Sequence, residues 1–230
     1  MRRKEDERRF LMPHFSSLTP DSSLSLVMES FFPSLEALSQ LYAEIDAQLS
    51  LFAEAARIAC LPNCRVCCET AKFVECSTLE MLPLSLHLWR AGKAECVLEH
   101  LSRIGPEGPC LLLDRVPSVS AGGGCAYYSL RPLTCRLFGF SAVPDKYGNP
   151  RMALCKAVKG LHPGLEGRLN GRIREGLRVP IAPRLRCRLA MLHPGLGQPY
   201  ASVNLSLRTA LEKVGYRMSI QRGSRSRGNQ

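Results

Sequence analysis

The 230-residue sequence predicts a mainly helical, irregular fold with long loops. Three observations carry that prediction. Apolar residues recur at three- and four-residue spacing over long stretches, the period of a helix with one face against a core. Residues 105–130 are crowded with Gly and Pro, which mark loop rather than regular structure. Eight of the eleven cysteines fall at 60–68 and 110–155, before and through that loop region, a means of gathering irregular chain. An α+β arrangement with one short hairpin near Cys125 is the alternative.

Taken in order, residues 1–20 are charged or polar with prolines and are expected to be disordered. Residues 21–59 form a helical segment: from Leu35, the positions Leu38, Leu41 or Tyr42, Ile45, Leu49, Phe52 and Ala56 make one stripe, and the helix delivers Cys60 before Pro62 and Asn63 end it. Ser77 and Glu80 have capping-box spacing ahead of Leu82, Leu86 and Trp89. Pro83 there predicts a kink or a later start. Gly92 separates this helix from a third running to Ile104.

Beyond the loop, Leu165, Leu169, Ile173 and Leu177 suggest a basic amphipathic helix weakened by Gly167, Gly171 and Gly176. Ser202 should cap a last helix through Val203, Leu207, Leu211 and Val214, with Gly215 as its stop. Residues 161–220 thus read as a basic helical extension and 221–230 as a disordered basic tail. The repeat of Leu-His-Pro-Gly-Leu at 161–165 and 192–196 reflects Pro-Gly turn chemistry, since two copies make no solenoid.

The formal net charge of +11 is uneven. Residues 1–110 hold 11 Lys/Arg against 15 Asp/Glu, net −4, and residues 111–230 hold 20 against 5, net +15. An anionic partner for the C-terminal half is compatible with this, although Arg-rich faces are commonly just solvated. The start, Met1-Arg2-Arg3-Lys4-Glu5, is interrupted by acids and followed by Pro13 and His14, unlike a signal peptide. The charge-free run 189–207 carries Pro194, Gly195, Gly197 and Pro199 and lacks the continuity of a membrane span. A cytoplasmic protein without a membrane segment is expected, and its thiols stay reduced there.

In that setting the cysteines point to metal. Cys60, Cys64, Cys67 and Cys68 have C-x3-C-x2-C-C spacing, and gaps of this size let one turn of backbone aim two sulfurs at one ion. A Cys67–Cys68 disulfide is disfavoured, because neighbouring Cα atoms lie about 3.8 Å apart and disulfides prefer at least about 4.4 Å. Cys110, Cys125, Cys135 and Cys155 supply the further thiols, so residues 60–160 read as a cysteine-cluster domain whose helices pack around a metal core. Four thiolates on one Zn²⁺ leave a charge of −2, which Arg131 and Arg136 are placed to offset. Cys76, Cys96 and Cys187 stand apart and read as small buried apolar residues. None of the five histidines has a metal spacing to the cluster.

The run Cys60-x3-Cys64-x2-Cys67-Cys68, then Cys110, then Cys125-Ala-Tyr-Tyr-Ser-Leu-Arg131-Pro-Leu-Thr-Cys135-Arg136, then Cys155, resembles the YkgJ-type cysteine-cluster family, a zinc- or iron-chelating CxxCxxCC domain. The resemblance covers under half the chain. It implies a metal-chelating module with Cys60, Cys64, Cys67 or Cys68, Cys110, Cys125, Cys135 and Cys155 as ligands to zinc, iron or an iron–sulfur cluster. Arg65-Val66 stands where a Gly-containing pair is usual.

Two other functions compete. The C-x3-C-x2-C spacing matches iron–sulfur enzymes that use S-adenosylmethionine, and the signature also resembles part of the flagellin lysine-N-methylases. A long helix precedes the motif here, where such enzymes place a barrel strand, and Gly122–Gly124 is weak as a cofactor loop. A zinc-stabilised nucleic-acid module would use the arginines between Arg168 and Arg188, but no aromatics interleave them.

Overall fold

A computed structural model describes residues 33–60, 64–70, 74–113 and 124–227. The segment expected to be disordered at 1–20 and the last residues of the tail lie outside these. Among the described residues the fold is mainly helical, with two short two-stranded sheets.

Helix α1 (Ser34–Ala56) buries Leu38, Leu41, Tyr42, Ile45, Phe52 and Ala56, the expected stripe. It stops before Pro62 because Arg57 turns left-handed, at φ 55°, and the Ile58 N–H returns to the Ala53 carbonyl at 3.0 Å. The short helix α2 (Val66–Thr70) carries the cysteine doublet, and strand β1 (Glu75–Ser77) leads into α3 (Thr78–Arg90).

The central element is α3. Leu79, Glu80, Met81, Leu82, Leu84, Ser85, Leu86 and Leu88 are all buried, so the helix is enclosed on nearly every side. That enclosure explains how it begins at Thr78 and runs through Pro83: the one ladder bond that proline forfeits is small against the apolar surface removed from water. The Ser77 N–H donates to the Glu80 carboxylate at 2.6 Å, which starts the helix where the capping-box spacing placed it.

Gly92, at φ 65°, separates α3 from α4 (Ala94–Ile104). A 3₁₀ turn (Tyr128–Leu130) precedes α5 (Leu133–Leu137). Strands β2 (Ala142–Pro144) and β3 (Pro150–Met152) then form an antiparallel hairpin, later in the chain than the one considered near Cys125. Asp145 closes its turn by accepting from the Tyr147 and Asn149 N–H groups, each at 2.9 Å. Helices α6 (Lys156–Leu161), α7 (Leu165–Arg174), α8 (Ala182–Leu192) and α9 (Pro194–Gly197) follow. Strand β4 (Tyr200–Ser202) pairs antiparallel with β1, and α10 (Val203–Arg227) ends the described chain.

Gly215 does not stop α10. A Cβ there would lie 2.6 Å from Trp89 Cζ2, so the glycine is explained by close packing of α10 on α3, which the Trp89 indole reinforces by donating to the Leu211 carbonyl at 3.0 Å. The helix continues to Arg227, into the segment expected to be a disordered tail.

Two apolar clusters organise the fold. The main one joins α1, α3, α4, α8 and α10 around Leu38, Leu79, Leu82, Leu189, Leu207 and Leu211. The second lies at the C-terminal end of α1, where Phe52, Ala56 and Ile58 meet Met152, Leu154, Val158 and Leu169. Both contain residues beyond 140, so the segment read as an extension shares the core with the segment read as the cysteine domain.

Candidate metal centre

Distinct local devices hold most of the candidate cysteines. Cys60 is exposed, four residues past the end of α1. Cys67 and Cys68 ride on α2, whose first turn closes with the Cys68 and Glu69 N–H groups both donating to the Arg65 carbonyl at 2.9 Å. Arg65, which stands where the resembled family commonly has a Gly-containing pair, packs its methylenes against Gly124: a Cβ on Gly124 would fall 2.2 Å from Arg65 Cγ. Gly124 also adopts φ 63°, a conformation that suits glycine, and it feeds the chain into Cys125.

Cys110 sits in an irregular loop latched by Asn204, which is 4% exposed. The Asn204 Oδ1 accepts from the Leu111 N–H at 3.1 Å, and its Nδ2 donates towards the carbonyls of Pro109, Gly108 and Gly105 at 3.1, 3.3 and 3.4 Å. Cys125 is fixed by a bridge to Leu113 and by the Ala126 N–H donating to the Leu112 carbonyl at 2.9 Å. Cys135 lies on α5, and the first N–H of that helix, at Leu133, donates to Glu80 Oε1 at 2.7 Å. Cys155 caps α6, its Sγ accepting from the Val158 N–H at 3.4 Å.

These devices converge. Cys60, Cys64, Cys67, Cys68, Cys110, Cys125 and Cys135 all line one cavity of about 90 Å³, together with Arg131, Tyr128 and Phe138. Neither carboxylate nor imidazole lines it among the described residues. Cys155 is not in the lining but interacts electrostatically with Cys60.

The two arginines diverge. Arg131 faces the cavity, anchored by Nε donating to the Tyr128 carbonyl at 2.8 Å and stacked 3.3 Å above the Tyr128 ring centroid. Arg136 instead reaches Asp46 at 2.5 Å and stacks over Tyr42, while its Nε donates to the Arg131 carbonyl at 2.8 Å. It therefore braces the turn that presents Arg131.

The thiols differ in acidity. Burial pushes Cys110 up to about 11 and Cys135 up to about 12, and raises Cys125 and Cys60 as well. The Cys67 and Cys68 sulfurs lie 3.8 Å apart and share a hydrogen bond. That bond stabilises one thiolate, drawing Cys67 down to about 6, and holds the proton on Cys68. Seven soft donors with one facing cation fit zinc or iron in donor chemistry. Among the described residues no three Cys, His, Asp or Glu side chains stand at metal-ligand spacing, so binding an ion requires the thiols to draw inward.

Of the three cysteines set apart, Cys76 is fully buried on β1 as expected, but Cys96 and Cys187 are exposed, because they fall on the outer faces of α4 and α8. Sequence patterns did not single out Asn204 or the reach of Glu80 to α5. The one signal for Asn204 was a polar residue beside the apolar stripe of α10.

No helix among the described residues is long and apolar enough to cross a membrane. No protein-family model, no curated protein and no solved structure matches this chain.

Proposed function

We propose that this chain is a thiolate metal-binding protein that chelates zinc or iron, the latter as an ion or an iron–sulfur cluster. One observation carries the proposal: seven cysteines from four separate segments line a single cavity in which, among the described residues, no carboxylate or imidazole competes with them. Chance burial of cysteine as a small apolar residue has no reason to produce that convergence. The bound metal would supply a fixed positive centre for the thiolates, and Arg131 would offset their excess negative charge. The resemblance to the YkgJ-type family supports the same function.

The competing functions draw less support from the fold. The described strands form two short antiparallel pairs, not a strand–helix barrel. Several cations of the basic half are engaged within the protein: Arg172 donates to the Ala55 carbonyl, Arg186 to Thr134 and Arg188 to Glu44. Anaerobic purification with elemental analysis and a visible spectrum tests the proposal. Brown protein with acid-labile sulfide indicates an iron–sulfur cluster, colourless stoichiometric zinc indicates a thiolate zinc site, and folded protein that binds neither metal overturns it.

A further inference from the structure

The cysteine cavity has a larger neighbour. A cleft of about 470 Å³ lies beside it, and among the described residues the two share Cys68, Val74, Cys110, Leu113 and Val203 in their walls. Two candidate ligands therefore belong to the partition between them. The cysteine cavity, at about 90 Å³, has room for an ion and little more, since one water molecule in the liquid takes about 30 Å³. The cleft falls within the size of small-molecule sites, about 300–1,000 Å³.

Its walls are fixed. One is the loop after α4, where Asn204 holds Gly105, Gly108, Pro109 and Leu111, and the Ser202 hydroxyl donates to the Pro106 carbonyl. Another is the α2 segment. Charges of both signs line the cleft: Glu107 comes from the loop, and Arg65 and Glu69 come from the α2 segment. Arg65 and Glu69 stand 3.6 Å apart with side chains 31% and 51% exposed, a pair loose enough to admit a ligand between them and solvent.

The donors in the shared wall are thiols, so a molecule in the cleft reaches a bound metal by replacing Cys68 or Cys110. Only a donor as soft as sulfur competes with a thiolate for zinc or iron in this way. At the other end of such a molecule, Glu107 suits an ammonium group and Arg65 a carboxylate.

We propose that the cleft binds a small thiol carrying both an amine and a carboxylate, and passes metal between the protein and that thiol. This rests on the metal-binding function proposed above and deepens it, making the centre one that exchanges its metal. In the step, the metal–sulfur bond to Cys68 or Cys110 breaks as a bond to the incoming sulfur forms. The proton of the incoming thiol passes to the released cysteine, and no oxidation state changes.

The test is loss of metal from the metal-loaded full-length chain on adding L-cysteine, cysteamine, mercaptopropionate or a thiol-terminated polyethylene glycol, read by elemental analysis after desalting. The expected rate saturates with L-cysteine. Cysteamine, without the carboxylate, and mercaptopropionate, without the amine, should need higher concentrations, and the polymer, too large for the cleft, should release no more than buffer does. Glu107→Lys should raise the half-saturating concentration of L-cysteine and not that of mercaptopropionate. No release by any thiol, a rate that grows linearly with all of them, a polymer as effective as L-cysteine, or a Glu107→Lys effect shared by both thiols overturns the exchange cleft while leaving metal binding intact. A chain that holds no metal before thiol is added overturns metal binding itself. The four thiols compared on the unaltered protein decide the matter without any variant having to fold.

Discussion

Replacing Glu80 with Gln should destabilise the protein out of proportion to a change of one atom. Glu80 is 1% exposed, and every group bonded to it is a donor: the Ser77 N–H at 2.6 Å and hydroxyl at 2.8 Å on Oε2, the Leu133 N–H at 2.7 Å and the Tyr42 hydroxyl at 3.3 Å on Oε1. A carboxamide has only one accepting oxygen. The hydroxyls of Ser77 and Tyr42 can rotate to accept from the new NH₂, but the two backbone N–H groups cannot. Whichever way the amide turns, one backbone donor faces another donor in a site closed to water. An unmatched buried N–H costs about 1–3 kcal/mol. With weakening of the second bond on the same side, about 2–3 kcal/mol is expected for Glu80→Gln. For a chain of this size that lowers Tm by about 4–12 °C. Because the Leu133 N–H opens the helix that carries Cys135, the variant should also bind metal more weakly. Thermal and urea melts of the two proteins provide the assay. Equal Tm within a degree would show that the Glu80 hub does not hold α5 as described.

Three further outcomes follow from the same geometry. Gly215→Ala should destabilise by about 1–3 kcal/mol through overpacking against Trp89, seen in a urea melt, whereas in an unobstructed helix interior this substitution gains about 1 kcal/mol. Asn204→Ala should leave the Leu111 N–H without its partner, lowering stability by about 1–3 kcal/mol and raising amide exchange at Leu111; unchanged exchange there would contradict the latch. Metal binding should release protons. Cys110 and Cys135, held at about 11 and about 12, carry their protons at neutral pH and must lose them on ligation. Affinity should therefore rise with pH, by about a hundredfold per unit for two protons, and calorimetry in buffers of different ionisation enthalpy should count them. An affinity flat between about pH 6 and about pH 8 would contradict ligation by these two thiols.

The helices of this fold are legible where a single stripe is buried. In α1 the spacing of Leu38, Leu41, Ile45 and Phe52 marks both the helix and its face. Where burial is all-round, local rules mislead: Pro83 is carried inside α3, and Gly215 marks contact with Trp89 and not a helix end. The hairpin at 142–152 escaped notice because its strands are three residues each, too short for an alternating pattern to show, and helix α8 went unread although Leu185, Leu189 and Leu192 stand at helical spacing. The cysteine spacings identify the candidate ligands, since spacing is a local property. They carry no information on Asn204 and only half of the role of Glu80, whose bonds to residues 111 and 133 span 93 and 53 positions. Nor does spacing distinguish Arg131 from Arg136, which lie on the same short segment and face opposite ways because Asp46 and Tyr42 draw Arg136 towards α1.

Whether thiolates from distant segments of this chain share a metal is tested most directly by X-ray absorption on the metal-loaded full-length protein. The expected first shell is sulfur alone, at about 2.3 Å for zinc. A shell dominated by nitrogen or oxygen at about 2.0–2.2 Å would show that the metal sits elsewhere and that the cysteine cavity does not hold it.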